Sequence, residues 1–195
     1  SIGALQVGRS TNTADVSMSG AYTVGGPISI YGGNIALSAG LAVTPSTTGS
    51  ILLKATGDIT TSGARTFSTQ GGDVTLWSDS DASGAGRIGL DTTSTISSKG
   101  GKITLAGGSD DGASTVVAGR AALDGYPDGF ATGSGSTSAC TAVTGTVQGV
   151  FLGTTTTLSS DGGDIYVAGK GAQGVTANCA AGVIANQDLW VKSGA

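Results

Sequence analysis

The sequence predicts an all-β chain wound as a parallel β-helix (a β-solenoid), and three observations carry that prediction. First, two glycines followed by alternating apolar residues recur along the chain. The copies are Gly25-Gly26-Pro27-Ile28-Ser29-Ile30, Gly32-Gly33-Asn34-Ile35-Ala36-Leu37, Gly71-Gly72-Asp73-Val74-Thr75-Leu76, Gly100-Gly101-Lys102-Ile103-Thr104-Leu105 and Gly162-Gly163-Asp164-Ile165-Tyr166-Val167. Each reads as a turn followed by a strand that buries every second side chain. Second, Gly, Thr and Ser supply 36, 27 and 24 of the 195 residues, while every acid is Asp and His is absent. That balance favours strands and tight turns over helices. Third, one strand-and-turn unit repeats, which is the mark of a stack.

Taken in order, strand phrases centre near Val16, Ile28, Ile35, Ile51, Ile59, Phe67, Val74, Ile88, Ile96 and Ile103. Most steps are about seven or eight residues, enough for a short strand and a glycine turn. Two or three steps make a coil of about 20 residues, and roughly nine coils spaced ~4.8 Å apart would make a rod of about 40–45 Å. Residues 109–149 break the rhythm with Ser109-Asp110-Asp111-Gly112, the turn Gly125-Tyr126-Pro127-Asp128-Gly129-Phe130 and a Ser/Gly/Thr run. They read as an insertion on one face, either a binding face or a cover for the core. The rhythm returns at Val150-Phe151-Leu152 and runs through Leu158, Ile165, Val183 and Trp190. The expected organisation is one solenoid segment over 1–195: regular coils over 1–108, the insertion over 109–149 and further coils over 150–195.

The net charge is −4 and the nine basic residues are scattered, so no basic face for nucleic acid is expected. No apolar run has the length of a membrane-spanning helix. A Gly/Ser/Thr bias can also mean disorder, but disordered tracts lack the period-two Val, Ile and Leu seen here. Cys140 and Cys179 both lie in polar small-residue stretches. They read as a disulfide tying a loop to a neighbouring coil, or as two free thiols. Two Cys without His cannot complete a usual zinc shell.

Catalysis needs groups that this chain supplies sparingly. Asp110-Asp111 is the best carboxylate pair, yet neighbours on a strand point to opposite faces, and no His offers a general base. Solvated turn residues are the better account, so no catalytic residue and no cofactor is expected. A weaker calcium reading falls on Asp79 and Asp81, in the oxygen-rich run Ser78-Asp79-Ser80-Asp81, and on Asp110 and Asp111. Thr-x-Thr phrases such as Thr93-Ser94-Thr95 raise ice binding, but they are too few and too irregularly placed to form a flat face. Tyr126 and Phe130, in the insertion, are the candidates for ligand contact, because aromatic rings stack on sugars.

The phrases Gly57-Asp58-Ile59-Thr60-Thr61-Ser62-Gly63 and Gly71-Gly72-Asp73-Val74-Thr75-Leu76-Trp77-Ser78-Asp79 resemble the repeats of filamentous-haemagglutinin-like giant bacterial adhesins. These are exported by two-partner secretion or as autotransporter passengers. The resemblance covers roughly residues 14–106 and 155–193 and is one of repeat style. It implies a right-handed parallel β-helix, export to the bacterial surface or the medium, and a non-catalytic role as stalk, filament or adhesive surface. Neither end reads as a polar cap, so the expected partners are flanking repeats or copies of the chain joined end to end, with host or surface glycans beside them. The alternatives are a carbohydrate-binding or polysaccharide-cleaving β-helix and, third, an ice-binding solenoid.

Overall fold

The computed structural model describes residues 2–43, 49–112, 122–135, 147–172, 183–185 and 190–192. Cys140 and Cys179 lie outside the described residues. The described chain is a parallel β-solenoid of six coils, each giving one strand to each of three parallel sheets. Coil 1 holds β1 (Leu5–Val7), β2 (Val16–Met18) and β3 (Tyr22–Val24); coil 2 holds β4 (Ile28–Gly32), β5 (Ile35–Leu37) and β6 (Leu41–Val43). Coil 3 holds β7 (Ile51–Ala55), β8 (Ile59–Thr61) and β9 (Thr66–Ser68). Coil 4 holds β10 (Val74–Ser78), β11 (Ile88–Leu90) and β12 (Thr95–Ser97). Coil 5 holds β13 (Ile103–Gly107), the short β14 (Ala131–Thr132), β15 (Val150–Leu152) and β16 (Thr157–Ser159). Coil 6 holds β17 (Ile165–Val167), β18 (Gly169–Lys170), β19 (Val183–Ala185) and β20 (Trp190–Lys192).

The expected nine coils become six because, counted along the first sheet, a coil takes 23 residues, and coils 4 and 5, from Val74 to Ile103 and from Ile103 to Ile165, take 29 and 62. In the first sheet Leu5, Ile28, Ile51 and Val74 are register partners, 23 residues apart. Each of these coils spends its extra residues on a third strand.

Alternation inside each strand turns into columns across the stack. Ile28, Ile51, Val74 and Ile103 form one inward column and Ile30, Leu53, Leu76 and Leu105 the next, all fully buried. Ile35, Ile59, Ile88 and Val150 run up the second sheet; Leu41, Phe67, Ile96 and Leu158 run up the third. Burying each such side chain contributes about 1.5–3 kcal/mol, so a column repeated coil after coil holds the stack together.

The corners are built from polar contacts. Between the third and first sheets, Thr69, Ser98 and Ser160 donate their hydroxyls to the carbonyls of Gly72, Gly101 and Gly163, each at 2.5 Å. Those glycines let backbone stack on backbone: a Cβ on Gly101 would fall 2.2 Å from the Gly72 carbonyl oxygen. Most double glycines of the sequence mark this corner, but Gly32-Gly33 marks the next one, between the first and second sheets. There a side-chain ladder runs through four coils. Asp15 Oδ1 accepts from the Asn34 N–H at 2.8 Å, Asn34 Oδ1 from the Asp58 N–H at 2.9 Å, and Asp58 Oδ1 from the Arg87 N–H at 3.0 Å.

Candidate functional site

The first-to-second corner also carries the main departure from the regular coil, and the insertion there covers part of the first sheet. The described parts of the segment between β13 and β15 (108–112, 122–135 and 147–149) lie against the outer face of the first sheet. Gly107 and Gly129 form an antiparallel bridge there, and β14 pairs with β18. The outward residues of β10 and β13 are therefore covered: Thr75, Trp77, Thr104 and Ala106 are all buried. This burial on both faces explains why those two strands lose the alternation of exposure seen in β4 and β7.

Two outward rows cross this face. One runs Tyr31, Lys54, Trp77, Ala106, and the other Ser29, Leu52, Thr75, Thr104. Trp77 donates its indole N–H to the Gly108 carbonyl at 2.7 Å, fastening the start of the insertion. Lys54 Nζ stands 3.5 Å from the centre of the Trp77 ring. Burial holds the Lys54 ammonium below its ordinary pKa, and the nearby Asp110 charge partly offsets this.

The insertion is pinned from within. The Asp110 carboxylate accepts the N–H groups of Asp124 at 3.1 Å and Gly125 at 2.9 Å, and its carbonyl accepts Leu123 N–H at 3.3 Å. Asp124 Oδ1 in turn accepts Tyr126 N–H at 2.9 Å. That chain of bonds aims the Tyr126 hydroxyl at Asp73 Oδ2, to which it donates, while Asp73 Oδ1 accepts Lys102 N–H at 2.7 Å. Lys102 Nζ lies over the Tyr126 ring, 5.7 Å from its centre. Beneath the loop is a cleft of about 180 Å³ lined by Ser50, Ile51, Leu52, Asp73, Thr75, Gly125 and Tyr126.

Of the residues singled out in the sequence, Tyr126 lines this cleft and Phe130 does not. Phe130 is half exposed on the way into β14, and its carbonyl accepts the Thr132 hydroxyl. Asp79 and Asp81 belong to the 79–87 loop instead. Asp79 is buried and closes that loop, its Oδ1 accepting Ser83 Oγ, Gly84 N–H and Ala85 N–H at 3.0–3.3 Å. Asp81 Oδ1 accepts Ser83 N–H, and Asp111 Oδ2 accepts the Ser109 hydroxyl. Among the described residues, no three Asp or Cys side chains converge as a metal shell.

Sequence reasoning passed over Asp73, Ser50 and Thr75. Only the 23-residue register brings them beside one another, and nothing in their local phrases marks them. The stacking of coils 3 to 5 also lines up an array on the outer face of the third sheet. Thr66, Thr95 and Thr157 align in one row, and Ser68, Ser97 and Ser159 in a second. The sequence hid this array because its members are separated by 29 and then 62 residues.

No family model, curated protein or solved structure matches this chain.

Proposed function

We propose that this chain is a structural and adhesive segment of a secreted bacterial surface protein or extracellular filament, and that it performs no catalysis. The observation that carries this reading is the continuity of the stack. Apolar columns run up each of the three sheets and polar ladders join successive coils at two corners, as a stacked rod requires. The carboxylates favour the same reading, since those of Asp79, Asp81, Asp110 and Asp111 are engaged in closing turns. Glycoside hydrolysis uses two carboxyl groups across a sugar, and among the described residues Asp73 is the one acid lining the cleft. In negative-stain micrographs over a concentration series, rods should join end to end; discrete short particles at every concentration would remove end-to-end assembly.

The aligned Thr66/Thr95/Thr157 and Ser68/Ser97/Ser159 rows favour a second reading, ice binding. Neighbouring coils place these hydroxyls about 4.8 Å apart along the stack. Thermal hysteresis in the purified chain, lost in Thr95→Tyr, would support it; no hysteresis would dismiss it.

A further inference from the structure

We propose that the cleft beneath the insertion seats one uncharged sugar ring, so that the adhesive surface recognises neutral glycans. The inference deepens the adhesive reading and rests on it. Size sets the first limit: about 180 Å³ is below the ~300–1,000 Å³ of clefts that bury drug-sized ligands, which leaves room for one ring rather than several. Lining chemistry sets the second. The Tyr126 ring and the Leu52 side chain offer apolar surface for the C–H face of a sugar, while Ser50, Thr75 and Asp73 offer hydroxyls and a carboxylate for its O–H edge.

These polar groups are held in place before any ligand arrives. Asp73 is fixed through Oδ1 by the Lys102 N–H and through Oδ2 by the Tyr126 hydroxyl, and each carboxylate oxygen keeps a second lone pair for a sugar hydroxyl. Tyr126 is itself positioned by Asp124, and the loop that carries both is held by Asp110. Such preorganisation lowers the ordering cost of binding. Charge decides the class of sugar. The Asp73 carboxylate would repel a uronate or a sulfated ring seated against it, whereas a neutral ring meets no such repulsion.

The test is an NMR titration of the full chain with neutral gluco-, manno-, galacto- and xylo-oligosaccharides, and with oligogalacturonate as the acidic counterpart. At least one neutral series should shift the amides of Leu52, Thr75, Gly125 and Tyr126, with Kd near the millimolar range, while oligogalacturonate shifts none of them. Tyr126→Ala should weaken that binding about tenfold or more, and Thr75→Val should weaken it with the loop intact. Unchanged chemical shifts around Trp77 would show that the insertion remains docked in both variants. The proposal is overturned if no neutral series shifts these amides, if oligogalacturonate binds equally well, or if binding survives both substitutions. Micrographs of the same protein keep the two readings apart: rods that assemble without any sugar response sink the cleft alone, while a sugar response in particles that never assemble sinks the end-to-end reading alone.

Discussion

Two corners of the same coil obey opposite rules. Where the third sheet turns into the first, a glycine stands two residues before the strand in coil after coil: Gly26, Gly49, Gly72, Gly101 and Gly163. Where the first sheet turns into the second, the link is only residues 33–34 in coil 2 but spans 108–149 in coil 5. The difference lies in what touches what. At the glycine corner backbone rests on backbone at the glycine itself, so that position cannot take a side chain, while the link around it varies only from 25–27 to 44–50. At the other corner the last residue before the strand stacks on its counterpart (Asp15, Asn34, Asp58, Arg87) and main chain still meets main chain, Gly57 N–H donating to the Gly33 carbonyl at 2.8 Å, yet residues between such contacts extend outward in coils 4 and 5. A solenoid therefore gains a surface feature at the corner where residues between the stacked contacts can extend outward.

The strongest way to break this comparison is to put a methyl group at the glycine corner. Gly101→Ala would place a Cβ 2.2 Å from the Gly72 carbonyl oxygen, and neither backbone can yield without shifting a coil. We expect a loss of about 3 kcal/mol, at the upper end of overpacking costs. In the variable corner, Gly84→Ala meets no atom within 4 Å and bears only the strain of its φ of +83°, about 1 kcal/mol. Urea melts of the two variants measure the contrast directly, and equal losses would undo it.

Next in size is the ladder of the variable corner. Arg87 is almost fully buried, and its Nε lies 3.4 Å from Asp58 Oδ2. Removing one partner of a buried pair costs about 3–5 kcal/mol, but Asp58 keeps part of its surface in water, so Asp58→Ala should cost nearer about 2 kcal/mol. Asp58→Asn retains an acceptor for the Arg87 N–H, as Asn34 does for Asp58, and should recover part of that loss. Equal melting temperatures for the two variants would mean that the charge, not the ladder, matters.

How much of this was readable beforehand follows from the range of each interaction. The turn-and-strand phrases around Ile28, Ile51, Val74 and Ile103 are local, so the solenoid and its inward columns were legible. The insertion was legible as a break in that rhythm, and Tyr126 as an aromatic within it. Asp73 joins Tyr126 only because a loop 53 residues away folds back over the first sheet. The aligned Thr and Ser rows depend on coil length in the same way. Asp79 looked like a cation ligand because its run alternates oxygen-bearing side chains, and only the turn shows that its oxygen is taken up by its own loop.

A smaller effect sharpens the picture at the second-to-third corner. Thr93 and Thr155 stack there with φ of 62° and 58°, and their hydroxyls meet at 3.1 Å. A β-branched residue in the left-handed region carries strain of about 1–3 kcal/mol, while glycine brings an unfolded-state entropy penalty of about 0.5–1 kcal/mol. The exposed hydroxyl pair returns little. Thr93→Gly should therefore stabilise the chain by about 1 kcal/mol in thermal melts, and a loss instead would mean that the stacked hydroxyls matter more than the backbone.

The smallest expected effect decides between two forces on Lys54. Burial disfavours its ammonium, whereas the Trp77 face at 3.5 Å and the Asp110 charge favour it. Burial is the larger influence, so the folded-state pKa lies below the ordinary 10.5. A lysine whose pKa is lower folded than unfolded leaves the unfolded chain holding more protons, and stability then rises with pH across that interval. The wild type should gain on Lys54→Met, which keeps the packed stem and removes the charge, as pH climbs towards 10.5 and the ammonium is lost. The gain should be under about 1 kcal/mol, because the side chain is only half buried and solvent screens it. A wild type that instead loses ground to Lys54→Met over the same interval would mean that the indole face and Asp110 outweigh burial. Trp77 would then hold the insertion through its neighbouring cation as well as through the bond to Gly108.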